Sequence, residues 1–357
     1  MKGRVLIAGF ATRHVAESAF HAGYPVYAVD HFCDQDLSWY TQDRIKFDDL
    51  EDLPNAIEEM CHRHKFDLLV VTSGAEDLKT TIPICGTSKK VVVKFLDKLE
   101  MQQFFEELKV PVAGLVRQGE FPAMIKPRRG AGGWRNTIVK NETDITAWKE
   151  LYPDTPYLLQ KVIEGVPSSV CCVADGYQAR AIAVNEQILR GQGISKFGFS
   201  GSVTPFNHAL KQQMVSVAER IAASSGCVGT VGIDFVVGKD AYTIEINPRF
   251  QATVDTIEKA TGFNVFQCHM DAYRGILPNA APEPIIFAAR NILFADQDIN
   301  VHVNLKRFHS ISSDIPWPDT FFEKDHAIIS VYGWGSSRHD ALMLLDKNIK
   351  TVQQYLR

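Results

Sequence analysis

The stretch Tyr242-Thr243-Ile244-Glu245-Ile246-Asn247-Pro248-Arg249-Phe250 decides how this chain is read. It reads as a strand, and on a strand residues i and i+2 share a face. Glu245 and Asn247 therefore offer oxygen ligands to one point in space. Hard cations such as Mg²⁺ take oxygen ligands at ~2.0–2.1 Å and share them with nucleotide phosphates. Arg249, just past the strand, can set a planar guanidinium against a phosphoryl group. Upstream, Gly232-Ile233-Asp234-Phe235-Val236-Val237 is an apolar strand carrying one acid, and Gly238-Lys239-Asp240 reads as a turn. With a loop from Gly238 to Ala241, Val237 pairs with Tyr242 and Asp234 falls opposite Glu245, on the same face. Asp234, Glu245 and Asn247 then form a small oxygen cluster on one hairpin. The alternative is two solvated acids and a turn asparagine.

Two further segments carry chemistry. In Lys126-Pro127-Arg128-Arg129-Gly130-Ala131-Gly132-Gly133-Trp134 a lysine ends an apolar strand and a glycine-rich loop follows. Glycines let backbone N–H groups approach phosphates, and the lysine adds charge. The loop is not a Walker A motif, since it lacks the terminal G-K-[ST] and leads into a strand. A plain hairpin turn is the alternative, but it leaves the lysine without a reason. In Leu158-Leu159-Gln160-Lys161-Val162-Ile163-Glu164-Gly165 an apolar strand runs into a connector of mixed polarity. Such a connector can present backbone groups to a purine edge, with apolar side chains on the ring. A strand simply leaving the core would look the same.

At 357 residues the chain suits two or three packed units. A net charge of -4, with Lys89-Lys90 and Arg128-Arg129 as isolated basic pairs, gives no footing for nucleic acid. The seven cysteines form no C-x-x-C, which argues against a disulfide framework or a zinc site and for reduced thiols in the cytoplasm. Cys171 and Cys172, adjacent on a strand, point to opposite faces. Val5 to Ala8 is too short for a signal peptide, and no apolar run approaches the ~20 residues of a membrane span.

The rhythm of elements predicts an α/β unit followed by α+β. Residues 1–95 show a βαβ pattern, hence a parallel sheet with ligand loops at its carboxyl ends, after Gly9, Asp30 and Thr72. Residues 96–120 form a linker helix and its exit. Residues 121–185 are expected to be a small antiparallel subdomain, 186–277 a larger one with the metal site, and 278–357 a β-rich cap closed by a helix from Arg338. Gly9 with Asp30 gives a poor dinucleotide fingerprint, because only the first glycine is present; a substrate loop fits better. The histidines do not cluster, and neither a G-x-S-x-G elbow nor an H-E-x-x-H zinc motif occurs.

The ordered set of Asp97-Lys98 on a helix, Lys126, the glycine loop, the Gln160–Glu164 connector, Asp234 and Glu245-x-Asn247-x-Arg249 resembles the ATP-grasp superfamily over residues 90 to 275. The first unit is similar to the domain that precedes ATP-grasp modules. The run Gly9 to Asp36 and the tail Asp314 to Leu345 resemble the predicted ATP-dependent carboligases of archaea and methylotrophs. The resemblance implies that Lys98 and Lys126 contact the α- and β-phosphates and that Arg129 to Gly133, Ala131 included, cover the phosphates. Gln160, Lys161 and Ile163 hold adenine, and Glu164 holds the ribose. Asp234, Glu245 and Asn247 bind Mg²⁺, with Mn²⁺ as an alternative ion, and Lys126 and Arg249 neutralise the transferred phosphoryl group. It implies a ligase joining a small-molecule carboxylate and an amine through an acyl phosphate, often as a homodimer. A bicarbonate-activating carboxylase, a non-catalytic ATP sensor and an NAD-dependent dehydrogenase are the competing readings.

Overall fold

The computed structural model describes residues 2–130, 132–193 and 195–356. Ala131 of the glycine-rich loop lies outside the described residues. The first unit holds β1 (Val5–Gly9), α1 (Arg13–His21), β2 (Val26–Asp30), α2 (Leu37–Tyr40), β3 (Asp43–Lys46), α3 (Leu53–Arg63) and β4 (Leu68–Val71). Its strands form a parallel sheet in the order β3-β2-β1-β4. Every residue of β1 and β2 is buried, as strands covered on both faces require. The edge strand β3, Asp-Arg-Ile-Lys, buries only Ile45. Charged edges discourage pairing with other chains, and they also hide the strand from a hydrophobicity pattern.

The short helix α4 (Lys89–Val92) leads to α5 (Lys98–Glu107), capped by Asp97, whose carboxylate accepts from Leu99 N at 2.9 Å. A three-stranded antiparallel sheet follows, from β5 (Ala123–Pro127), β6 (Thr137–Val139) and β7 (Tyr157–Lys161), in the order β6-β5-β7. The helix α6 (Glu142–Leu151) packs Ile145 and Trp148 onto Ala123, Ile125 and Val139.

The remaining chain builds β8 (Val166–Asp175), β9 (Ala179–Leu189), β10 (Phe199–Thr204), α7 (Lys211–Ser225), β11 (Val228–Val237), β12 (Ala241–Asn247), α8 (Val254–Thr261) and α9 (Val265–Tyr273). It closes with β13 (Phe287–Phe294), β14 (Ile299–Val301), β15 (Ser312–Ser313), β16 (Thr320–Phe322), β17 (Ala327–Gly335) and α10 (Arg338–Gln353). Eight of these strands share one sheet, ordered β12-β11-β8-β9-β10-β13-β17-β15. Two expected boundaries shift as a result. The division at 185/186 falls inside β9, and the change of sheet comes at 162–165 instead, between β7 and β8. The cap at 278–357 is no separate layer, because β13 pairs antiparallel with β10 from Gly201↔Asn291 to Thr204↔Ala288. Both differences share a cause: sheet membership depends on long-range pairing, which a local pattern does not encode.

β8 lies inside the sheet and is buried on both faces. Cys171 packs with Ile7, Val173 and Phe266 on one side, and Cys172 packs with Met101, Phe105 and Ile221 on the other. The first unit and the large sheet thus share one apolar core. They also share an ionic one. The buried Arg13 of α1 donates to Asp314 at 2.8 Å, to Asp255 of α8 at 2.5 Å and to Glu17 at 2.7 Å. Arg290 of β13 reaches the same Asp314 at 2.8 Å, and the Tyr332 hydroxyl donates to Asp255 at 2.6 Å. Burial opposes both carboxylates, yet the two guanidinium groups hold Asp255 and Asp314 below the usual carboxylate range. Among the described residues no helix is long and apolar enough to cross a membrane.

Candidate active site

β11 and β12 form the expected hairpin with a different register. Val237 pairs with Ala241, not Tyr242, and Phe235 pairs with Thr243. Ile244 then bulges, and Asp234 still falls opposite Glu245. The three-residue turn at 238–240 shifts the ladder by one place, and the bulge shifts it back. A one-place slip sends every side chain to the other face, so Ile244 is what puts the two acids together.

Three side-chain amides converge on Asp234. Gln187 Nε2 of β9 donates at 2.9 Å, Asn247 Nδ2 at 3.0 Å and Gln251 Nε2 at 3.3 Å. Gln251 reaches this place only because residue 232 is glycine: a Cβ there would lie 1.9 Å from Gln251 Cδ. Burial pushes the Asp234 carboxyl up to about 7, the charge of Glu245 adds to this, and Gln187, Arg249 and Asn247 oppose it. Asp234, Glu245 and Asn247 line one cavity of about 1310 Å³ between the first unit, the small sheet and the large sheet.

Lys126, near the end of β5, faces the same cavity and is 8% exposed. Burial pushes its ammonium down to about 8; Glu245 opposes the shift and Lys98 adds to it. Lys98 Nζ donates to Gly130 O and also lines the cavity. The glycine loop bends over the cavity at Gly132 and Gly133. Gly133 has φ 69°, and a Cβ there would stand 2.4 Å from Phe197 O, so only glycine lets this loop touch the segment before β10. Gln160, Lys161 and Ile163 line the cavity too. Gln160 donates through Nε2 to Gln102 Oε1 at 2.8 Å, and its own Oε1 is buried without a partner.

Other expected site residues lie elsewhere. Arg129 and Gly130 are exposed and do not line the cavity, nor does Glu164. Arg128 is the structural arginine of the pair, bound to Asp97 at 2.6 Å. Arg249 does line the cavity, but Nε donates to Glu76 at 2.7 Å, Nη1 to Phe250 O at 2.9 Å and Nη2 to Asn247 Oδ1 at 3.2 Å. It ties the end of β12 to the loop after β4. Asp30 is consumed locally, accepting from Thr12 N, Thr12 Oγ1, Phe32 N and Cys33 N at 2.5–2.8 Å. That leaves it no free role on a dinucleotide ribose. The residues missed from sequence are Gln187 and Gln251; Glu76 lies in the ligand loop expected after Thr72, but its bond to Arg249 was not foreseen. Gln251 had a signal, a polar residue two places after Arg249; Gln187 had none without the pairing of strands.

The residues present suit ATP and a divalent cation. Among the described residues no group of three or more His, Cys, Asp or Glu side chains could hold a metal. Two carboxylates and an amide match an ion that takes its other ligands from phosphate and water. The partnerless Gln160 Oε1 suits the amino group of adenine.

Residues 95–253 match the family described as ATP-grasp domain. The whole fold is similar to biotin carboxylase from Campylobacter jejuni, solved as a β-γ-ATP complex, with TM-score 0.78, 16% identity, and coverage of 98% of this chain and 91% of that one. It is similar to the L-amino acid ligase from Bacillus licheniformis with TM-score 0.69, 13% identity, and coverage of 98% and 97%. It also matches Rhizobium etli pyruvate carboxylase with TM-score 0.77 and 13% identity, covering 97% of this chain but only 37% of that longer one. Residues 95–253 thus carry an ATP-grasp domain, and Lys126, Asp234, Glu245 and Asn247 all lie within it.

Proposed function

We propose that the protein is an ATP- and Mg²⁺-dependent carboxylate–amine ligase that releases ADP and phosphate. The observation that carries this reading is the convergence of Asp234, Glu245, Asn247, Lys126 and Gln160 on one cavity. The fold likeness to an L-amino acid ligase supports it. The histidines that line the cavity, His14 and His326, make no hydrogen bond to a serine, threonine or cysteine side chain among the described residues, so no activated nucleophile suggests covalent catalysis.

In this reading a carboxylate oxygen of the first substrate attacks the γ-phosphorus of ATP, and ADP leaves. The amine nitrogen then attacks the acyl carbon, phosphate departs, and the nitrogen loses a proton to solvent. Bound at Asp234, Glu245 and Asn247, Mg²⁺ supplies neutralisation of phosphate charge. Gln160 accepts from the adenine amino group, and Lys161 and Ile163 frame the ring. Lys126 and Lys98 hold the α- and β-phosphates. Desolvation of Lys126 strengthens its attraction for a polyanion. Arg249, fixed by Glu76, holds Asn247 Oδ1 in place. The contact of Gly133 with Phe197 closes the loop over the phosphates and keeps water from an acyl phosphate.

The test is ADP release from purified protein with ATP, Mg²⁺ and pools of carboxylates and amines, with mass spectrometry of products. Binding of nucleotide without ADP release from any pool would sink the ligase reading. ADP release with bicarbonate alone would move it to a carboxylase. Glu245→Gln is expected to lower turnover at least about 100-fold while nucleotide affinity changes by less than about fivefold; equal turnover would contradict the metal assignment.

A further inference from the structure

The first unit contributes its own part of the cavity wall, and that part has a distinct chemistry. It consists of Phe10 and Ala11 after β1, Leu50 before α3, and Thr72, Ser73 and Gly74 after β4. None of these side chains is charged. His14 of α1 also lines the cavity; it is buried, and burial pushes it down to about 4, so it is neutral at physiological pH. Phe10 is 37% exposed and Leu50 45%, so both show apolar surface. The Phe10 ring is fixed, stacked on His31 at 4.4 Å and 12°, while its backbone N donates to Ser73 O at 2.7 Å.

Lys98, Lys126 and Lys161 line the nucleotide side of the cavity in the ligase reading, and its two guanidinium groups are engaged. Each nitrogen of Arg249 already donates to a protein acceptor. Arg190 lies over the Phe294 ring at 3.6 Å and donates to Asp325 O at 2.6 Å. An anionic group on a substrate held against this wall would lose its hydration and gain no counter-charge there. Neutral polar atoms are the ones left wanting. Thr72 Oγ1, Thr253 Oγ1 and Gln251 Oε1 are buried without partners, and all three residues line the cavity. Gln251 Oε1 is an acceptor only, and the hydroxyls can accept. The other end of the Gln251 amide rests on Asp234. A group that donates hydrogen bonds to Gln251 therefore sits beside the carboxylate cluster, where the acyl carbon is to be attacked.

We infer, resting on the ligase reading above, that the acceptor substrate is a primary amine carried on an apolar, uncharged body. Its N–H groups go to Gln251 Oε1 and the Thr72 and Thr253 hydroxyls, and its body lies against Phe10 and Leu50. Amines that carry a phosphate or a carboxylate are poor occupants of this wall.

Calorimetry on the full chain loaded with Mg²⁺ and a non-hydrolysable ATP analogue tests this with four probes: phenethylamine, n-hexylamine, O-phosphoethanolamine and β-alanine. The first two are expected to bind at least about tenfold more tightly than the last two. Phe10→Ala is expected to weaken phenethylamine about fivefold or more, from the apolar area lost. Leu50→Lys, at an exposed position, is expected to improve β-alanine about fivefold, a gain that a merely structural residue would not give. Equal or tighter binding of β-alanine or O-phosphoethanolamine to the native chain overturns the inference, as does binding of the analogue with no amine following it. Failure of the analogue itself to bind would instead overturn the underlying ATP reading.

Discussion

Gly232 offers a way to disturb the Asp234 carboxylate without touching it. A Cβ at position 232 would stand 1.9 Å from Gln251 Cδ and 2.0 Å from Nε2, whereas carbon atoms rest about 3.5 Å apart. In Gly232→Ala the Gln251 amide must withdraw by roughly 1.5 Å, which breaks its 3.3 Å bond to Asp234 Oδ1. A hydrogen bond to a charged group contributes about 1.5–3 kcal/mol, and this bond, the longest of the three on Asp234, belongs at the low end. With an unfolding entropy of roughly 2 cal/mol/K per residue, a loss of about 1.5 kcal/mol lowers Tm by about 2 °C. In the Gln251→Ala background the collision is gone. Alanine then replaces glycine in a strand and should stabilise by about 0.5–1 kcal/mol, raising Tm by about 1 °C. The effect of one substitution thus changes sign with the residue at 251. Scanning calorimetry on the wild type, both single variants and the double variant completes the cycle. A Gly232→Ala effect of the same sign and size in both backgrounds would refute the packing argument and the placement of Gln251 on Asp234.

Two further outcomes follow from buried charges. Lys126→Ala should weaken ATP binding about 10- to 100-fold, the range for losing a charge-assisted bond, and calorimetry that finds unchanged affinity would remove Lys126 from the phosphate site. Glu258, which accepts from Ser18 Oγ and Val265 N, is pushed up to about 7 by burial. Its folded form keeps a proton that the unfolded chain releases near pH 4.5, so its contribution is full below about 4.5 and is lost as pH rises through 7. Glu258→Gln should melt like the wild type near pH 4.5 and above it at pH 8, by at most about 3 kcal/mol; a difference independent of pH would show that Glu258 does not titrate there.

Much of the site was legible because its parts lie close in sequence. Asp234, Glu245 and Asn247 share one hairpin, so period-2 geometry places them on one face even though the turn length was misjudged. The bulge at Ile244 was not legible: one apolar residue among several carries no local mark of being unpaired. Gln187 reaches Asp234 from β9 across β8, and that adjacency exists only once the eight-stranded order is known. Arg249 looked like a phosphate ligand because its partner, Glu76, lies 173 residues away. Asp30 looked available for a ribose because nothing local shows that four donors already surround it. The parallel first unit was readable from its buried strands, while β3 escaped through its charge, and the cap was split off because long-range pairing leaves no short-range trace.

The ionic cluster around Arg13 restricts how this architecture can be recombined. Its members come from α1, α8, β13 and the segment at Asp314, which span nearly the whole chain. Exchanging the first unit for that of another protein of similar fold would leave a buried guanidinium facing foreign residues, and breaking one buried pair costs about 3–5 kcal/mol. Positions 13, 255, 290 and 314 must therefore be inherited together. The loops that choose substrates can drift one by one, while the frame that carries them is exchangeable only as a whole.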